Sequence, residues 1–197
     1  MQQSIDRRRF LESCGLLAVG DAAGFLAPAW FGSEHANAQD KPPMHNAEEQ
    51  LKKLKLELPP VGKPTGLIIP AVRAGDLLFL SGHTPTPVDG KPVVGKLGMD
   101  YDVKQGQAAA RNVALRVLSV TRAELGSLDK VVRLVKVLGM VNCTPDFKET
   151  PAVINGFSSV LIDVFGEQAG KGARSAVGMA SLPGGVPVEI EAIFQVR

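Results

Sequence analysis

The sequence predicts one α+β domain, a single sheet with two helices on one face. Three observations carry this. Two apolar runs flank Ala74-Gly75-Asp76, a hairpin signal. Two longer segments repeat apolar residues at three- and four-residue steps and stop at Gly126 and Gly166. Finally, "ARSAVGMASL" and "VPVEIEAIFQV", the second rich in β-branched residues, surround Pro183-Gly184-Gly185. The expected order is strand, strand, helix, strand, helix, strand, strand.

The first forty residues are read separately. Arg7, Arg8 and Arg9 precede Phe10 and Leu11 and a Gly/Ala/Leu-rich stretch reaching Trp30, the layout of a twin-arginine export signal. Ala36-Asn37-Ala38 supplies a small-x-small cleavage site, so residues 1–38 are expected to be removed, leaving a periplasmic chain with no stable membrane anchor. Asp21, unusual in a signal core, keeps an uncleaved amphipathic helix as the alternative. Three of the 22 Lys and Arg and four of the 20 Asp and Glu fall in 1–38, leaving 19 basic and 16 acidic residues in a 159-residue chain. That mixed balance gives no electrostatic reason to expect nucleic acid as a partner. Cys143 is then alone and can form no internal disulfide. His45 and His83 have no Cys or acidic residue at ligand spacing, which argues against a metal site.

Residues 39–65 form a Pro- and Lys-rich arm around one helical pattern, roughly 46–55, laid over the surface of the domain at 66–197. After the first hairpin, "HTPTPVDGKPVVGKLGMD" reads as a long loop with a short strand over 92–94. Asp102 is expected to cap a helix whose stripe is Ala110, Val113, Ala114, Val117, Leu118, Thr121 and Leu125, ended by Gly126 in a left-handed cap. Val131 to Val141 reads as a strand. Thr150 and Pro151 read as N-cap and first residue of the second helix, with stripe Ile154, Phe157, Leu161, Val164. A sheet covered on one face leaves the other to meet something, and self-association is the economical answer.

The turn at Gly184-Gly185 suggests a terminal hairpin in which Arg174 lies opposite Gln195 and Glu189 opposite Ala180. In that register Arg174, Glu189 and Glu191 share the uncovered face. Arg174 and Glu189 are then about six residues apart along the ladder, roughly 20 Å, so they would cooperate only between subunits. A separate structural ion pair for each is the alternative on spacing alone. The small neighbours Gly172, Ala173 and Ala176 leave room around the guanidinium for bidentate capture of a carboxylate.

"AVRAGDLLFLSGHTP", the helix–strand–helix middle and "GARSAVGMASLPGGVPVEIEAI" together resemble the RidA family of reactive-intermediate (enamine/imine) deaminases, also called the YjgF family. The similarity covers about residues 66–196. It implies a chorismate-mutase-like fold and a homotrimer with three inter-subunit clefts, a small carboxylate-bearing ligand and no cofactor. It also implies that Arg174 grips the substrate carboxylate and Glu189 serves the hydrolytic water, with Ser81 and Asn155 lining the cleft. A strand-end cap before Gly82 is an equal alternative for Ser81, and an exposed helix position is one for Asn155. Ile68 stands where deaminating members carry a tyrosine, His83 where they carry a glutamine, and Ala176 where they carry a cysteine. "SGHTP", "CTPDF" and the helical arm point to a divergent, exported subgroup. The function expected is hydrolysis of small 2-imino acids to 2-keto acids and ammonia; a non-catalytic small-carboxylate or protein binding module is the alternative.

Overall fold

The computed structural model describes residues 46–62 and 66–197. The signal segment, its cleavage site, Cys14, His35, His45 and the start of the arm lie outside the described residues. Among those described, no helix is long and apolar enough to cross a membrane.

Helix α1 (Ala47–Lys53) forms where the arm carries its helical pattern, and Asn46 caps it by accepting from the Glu49 amide at 3.3 Å. It is held by its own acids: Glu48 accepts from the Leu128 amide at 3.0 Å and lies 3.6 Å from Arg122. Ala47 and Leu51 are buried beneath it. Strands β1 (Ala71–Ala74) and β2 (Leu77–His83) make the expected hairpin around Gly75. The strand expected over 92–94 does not form. With prolines on its flanks, that segment stays in a loop whose only pairings are isolated bridges at Val88, Lys91, Leu97 and Tyr101.

Helix α2 (Val103–Leu125) begins in a full capping box: Asp102 accepts from the Gln105 amide at 2.7 Å, and the Gln105 side chain accepts from the Asp102 amide at 3.0 Å. Gly126 ends it with φ +81°, a conformation costly to other residues, its amide bonded to Arg122 O. Strand β3 (Val131–Asn142) follows. Helix α3 (Thr150–Gly170) takes Thr150 as its first residue instead of its cap, because the hydroxyl donates to Ala176 O at 3.2 Å across the sheet edge. Gly166, with φ +79°, interrupts the helix as expected, and one further turn follows it.

The end of the chain differs from the expected hairpin. Strands β4 (Ala173–Met179) and β5 (Val188–Val196) do not pair; the sheet order is β1-β2-β5-β3-β4. β4 runs parallel to β3 at the edge, completing a β3-α3-β4 crossover, and β5 returns antiparallel between β3 and β2. The reason is burial. In β5 the residues Val188, Ile190, Ala192, Phe194 and Val196 are all buried, a pattern that is best satisfied with a neighbour on each side. No residue of β4 is fully buried, which suits an edge.

Both helices cover one face, where the β5 stripe meets Val113, Val117 and Leu118 of α2 and Ile154, Phe157 and Leu161 of α3. α2 and α3 touch at Gly156, where an added Cβ would strike the backbone carbonyl of Gln107. The other face stays open. By strand parity it carries Val72, Phe79, Leu138, Met140, Val177 and Ile193, of which Val72 is 50% and Phe79 40% exposed.

Candidate functional site

The observed register moves Arg174 to a new place. Arg174 pairs with Val137, and Val137 pairs with Ala192; both partners are buried toward the helices, so Arg174 points to the helix side of the edge strand. There it lies against α3: one guanidinium nitrogen, Nη1, donates to Asn155 Oδ1 at 2.9 Å and to Ser158 Oγ at 3.0 Å. Sequence reasoning found Asn155 but missed Ser158. The signal was available, since positions 155 and 158 are one helical turn apart and off the apolar stripe. The arginine borders a hollow of about 240 Å³ that Lys171 and Gly172 also line. No carboxylate pairs with it among the described residues, and its remaining nitrogens are left for a ligand.

Glu189 pairs with Met140 on the open face, as does Glu191 with Leu138. The expectation that Arg174 shares their face is therefore corrected: inserting β5 inside β3 reverses the relation that a terminal hairpin would have imposed. Arg174 and Glu189 sit two strands apart and three residues apart along the ladder, about 14 Å, and on opposite faces. They are still unable to meet within one chain.

Glu189 instead lies against Gly82, the residue after Ser81. Its carboxylate fills the space where a Cβ on Gly82 would lie, the Cδ carbon standing 2.9 Å from that position. Ser81 donates its hydroxyl to Ile69 O at 2.6 Å, and its amide bonds Pro70 O at 3.0 Å, so the segment before β1 is tied to the end of β2. The hydroxyl hydrogen thus serves a tie to Ile69 instead of capping the turn before Gly82, and its oxygen lone pairs are left to accept a bond. Burial first, and the charge of Glu191 second, push the Glu189 carboxyl above the usual range. A carboxylate so placed is a better proton acceptor near neutral pH than an ordinary glutamate. Ile68, 68% exposed, provides no hydroxyl there. Cys143 is buried, and among the described residues no cluster of three or more metal-ligating side chains occurs.

His83 is 4% exposed, and its Nδ1 lies 2.7 Å from Ser81 O. Its pKa is lowered, mainly by burial and secondarily by Arg116. The sign follows from linkage: between the lowered folded value and the ordinary 6.5, the unfolded chain binds more protons, so His83 supports stability above that window and the support is lost on acidification. Substituting His83→Gln should therefore reduce the loss of thermal stability between about pH 7 and pH 5 relative to the unmodified protein. Parallel unfolding curves for the two at every pH would contradict this assignment.

The family comparison bears on the same elements. A family model described as "YjgF/chorismate_mutase-like, putative endoribonuclease" matches residues 48–184. The chain belongs to the YjgF/RidA family. Protein TCP17 of Trypanosoma cruzi is 42% identical over 147 residues, covering 75% of this chain and 92% of the relative. Among solved structures, the protein Atu1372 of Agrobacterium tumefaciens is 40% identical with a TM-score of 0.68, covering 76% of this chain and 91% of that one. A Shewanella oneidensis protein described as a "putative endoribonuclease" is 28% identical with a TM-score of 0.71, covering 76% of this chain and 99% of that one. The YjgF/RidA chain is thus an α+β protein of the chorismate-mutase-like kind, as expected.

Proposed function

We propose that the protein hydrolyses small 2-imino acids to 2-keto acids and ammonia in clefts between the subunits of a homotrimer. The observation that carries the reading is the preset guanidinium of Arg174, fixed at one nitrogen by Asn155 and Ser158 and unpaired at the others among the described residues. A planar fork held this way suits one carboxylate bidentately. In the neighbouring copy Ser81, Gly82 and Glu189 supply the second half. Its open sheet face, with Val72, Phe79 and Val177 exposed, gives the copies apolar surface to bury.

The chemistry needs little more than position. An imine carbon is already electrophilic, so a water molecule attacks it while Glu189 takes the water's proton. The C=N double bond becomes a C–N single bond as Glu189 returns that proton to nitrogen, and transfer of the new hydroxyl's proton to the same nitrogen expels ammonia as the carbonyl forms. Ser81 and backbone amides orient the imine. The amino-terminal segment is proposed to direct export by the twin-arginine route.

The test generates imines with an amino-acid oxidase and follows their decay with and without the protein. Faster decay supports the proposal, and decay at the buffer rate overturns it. Ile68 in the place of the tyrosine favours a second reading, a binding module without turnover. Thermal stabilisation by 2-keto acids in a protein that leaves imine decay unchanged would be its signature.

A further inference from the structure

Between the loop over 88–101 and the solvent side of α2 lies a pocket of about 330 Å³, the size of a small-molecule site. None of its lining residues belongs to the Arg174 hollow or to Ser81, Gly82 and Glu189, the groups assigned to the cleft. Its walls are held from both ends. On one side Asn112 pins the loop to the helix: Oδ1 accepts from the Thr86 amide and the Thr86 hydroxyl, both at 2.8 Å, and Nδ2 donates to Thr86 O at 3.3 Å. The loop then folds into a two-residue turn, Val88 and Lys91 exchanging backbone bonds of 3.0 and 2.9 Å around Asp89 and Gly90, both at positive φ. On the other side the Tyr101 amide bonds Lys96 O at 3.1 Å, and the Tyr101 ring fills the space that a Cβ on Gly95 would need.

The surface held in this way is apolar at its floor and polar at its rim. Val88, Pro92, Val93, Ala108 and Ala109 supply carbon, and the two alanines, successive on α2, leave a shelf with no long side chain to fill it. The rim offers donors. Gln105 has its Oε1 engaged by the Asp102 amide, which leaves Nε2. The Lys91 ammonium has no carboxylate partner among the described residues, and no Asp or Glu lines the pocket. With the Tyr101 hydroxyl, all three groups can donate, and only the hydroxyl can also accept. A ligand matched to this wall therefore brings acceptors and negative charge on a flat apolar body.

We propose that this pocket binds an aromatic carboxylate. Its ring lies on the shelf of Ala108 and Ala109 against Val93 and the Tyr101 ring, which gives it an aromatic surface to pack on. Its carboxylate sits at the rim, paired with Lys91 and accepting from Gln105 Nε2. The site is separate from the cleft and does not rest on imine hydrolysis.

Tyr101 is the chain's only tyrosine, so protein labelled at tyrosine alone gives one set of ring resonances, and they report on this pocket. With 2-naphthoate as the probe, those resonances should shift saturably at millimolar concentration in the full chain, and with the same midpoint in Arg174→Ala. Lys91 and Ala108 are exposed, so both tolerate polar replacement. Lys91→Gln should raise the midpoint about threefold, the scale of one exposed ion pair. Ala108→Glu, which sets a carboxylate on the shelf, should abolish the shift. The neutral 2-naphthamide should bind more weakly than the acid. No saturable shift in the unmodified protein, an equal midpoint for the amide or in Lys91→Gln, or a shift lost in Arg174→Ala and kept in Ala108→Glu would each overturn the proposal.

Discussion

Two inactive variants, Arg174→Ala and Glu189→Gln, should regain about a third of the unmodified imine-hydrolase activity when they assemble as mixed trimers. Each alone is expected to lose on the order of 100-fold in kcat/KM, the scale for removing one charged partner at a desolvated contact. In a ring of three clefts, each takes its arginine from one copy and its glutamate from the next. A purified hybrid, two copies of one variant and one of the other, then has one cleft in three with both groups intact. The basis is the separation of Arg174 and Glu189, two strands apart and on opposite sheet faces. Co-expression with two different tags, purification of the hybrids and an imine-decay assay make the measurement. Hybrids with no regained activity would mean that both groups act from one chain. Full activity in either single variant would remove that residue from the chemistry.

The second large effect is on stability. Gly156→Ala should cost about 3 kcal/mol, the upper range for overpacking a closed core. Gly156 lies on α3 where it meets α2, and a methyl group there would collide with the Gln107 carbonyl and lie 2.8 Å from its Cα. A flexible side chain could turn aside, but helix backbone cannot without prising α2 and α3 apart. Gly62, with nothing among the described residues within 4 Å of an added Cβ, is the matched control and should tolerate alanine in the same denaturation experiment. Equal midpoints for the two variants would show that the helices can separate at little cost.

The helices were legible because their signals are local. Asp102 with Gln105, and Gly126 after the last apolar turn, lie within a few residues of the ends they define. Thr150 was misread because its hydroxyl serves Ala176, 26 residues away, and no local pattern records that bond. The placement of β5 failed for the same reason on a larger scale. Pro183-Gly184-Gly185 makes a tight turn within a longer connection, residues 180–187, which carries the chain across the end of β3. Residue types singled out Arg174 and Glu189, and the family resemblance added Ser81 and Asn155. Their grouping into two clusters needed the register, which depends on pairings between residues more than 30 positions apart.

The central position of β5 also bears on how the chain reaches its folded state. Strands β2 and β3 share no hydrogen-bonded ladder with each other; each bonds to β5, which follows both in the sequence. A nascent chain that has not yet produced residues 188–196 therefore holds a hairpin and a β3-α3-β4 unit with no strand to join them. Sheet closure is a late event in synthesis, and until it occurs two apolar strand edges stand open to chaperones or to other chains.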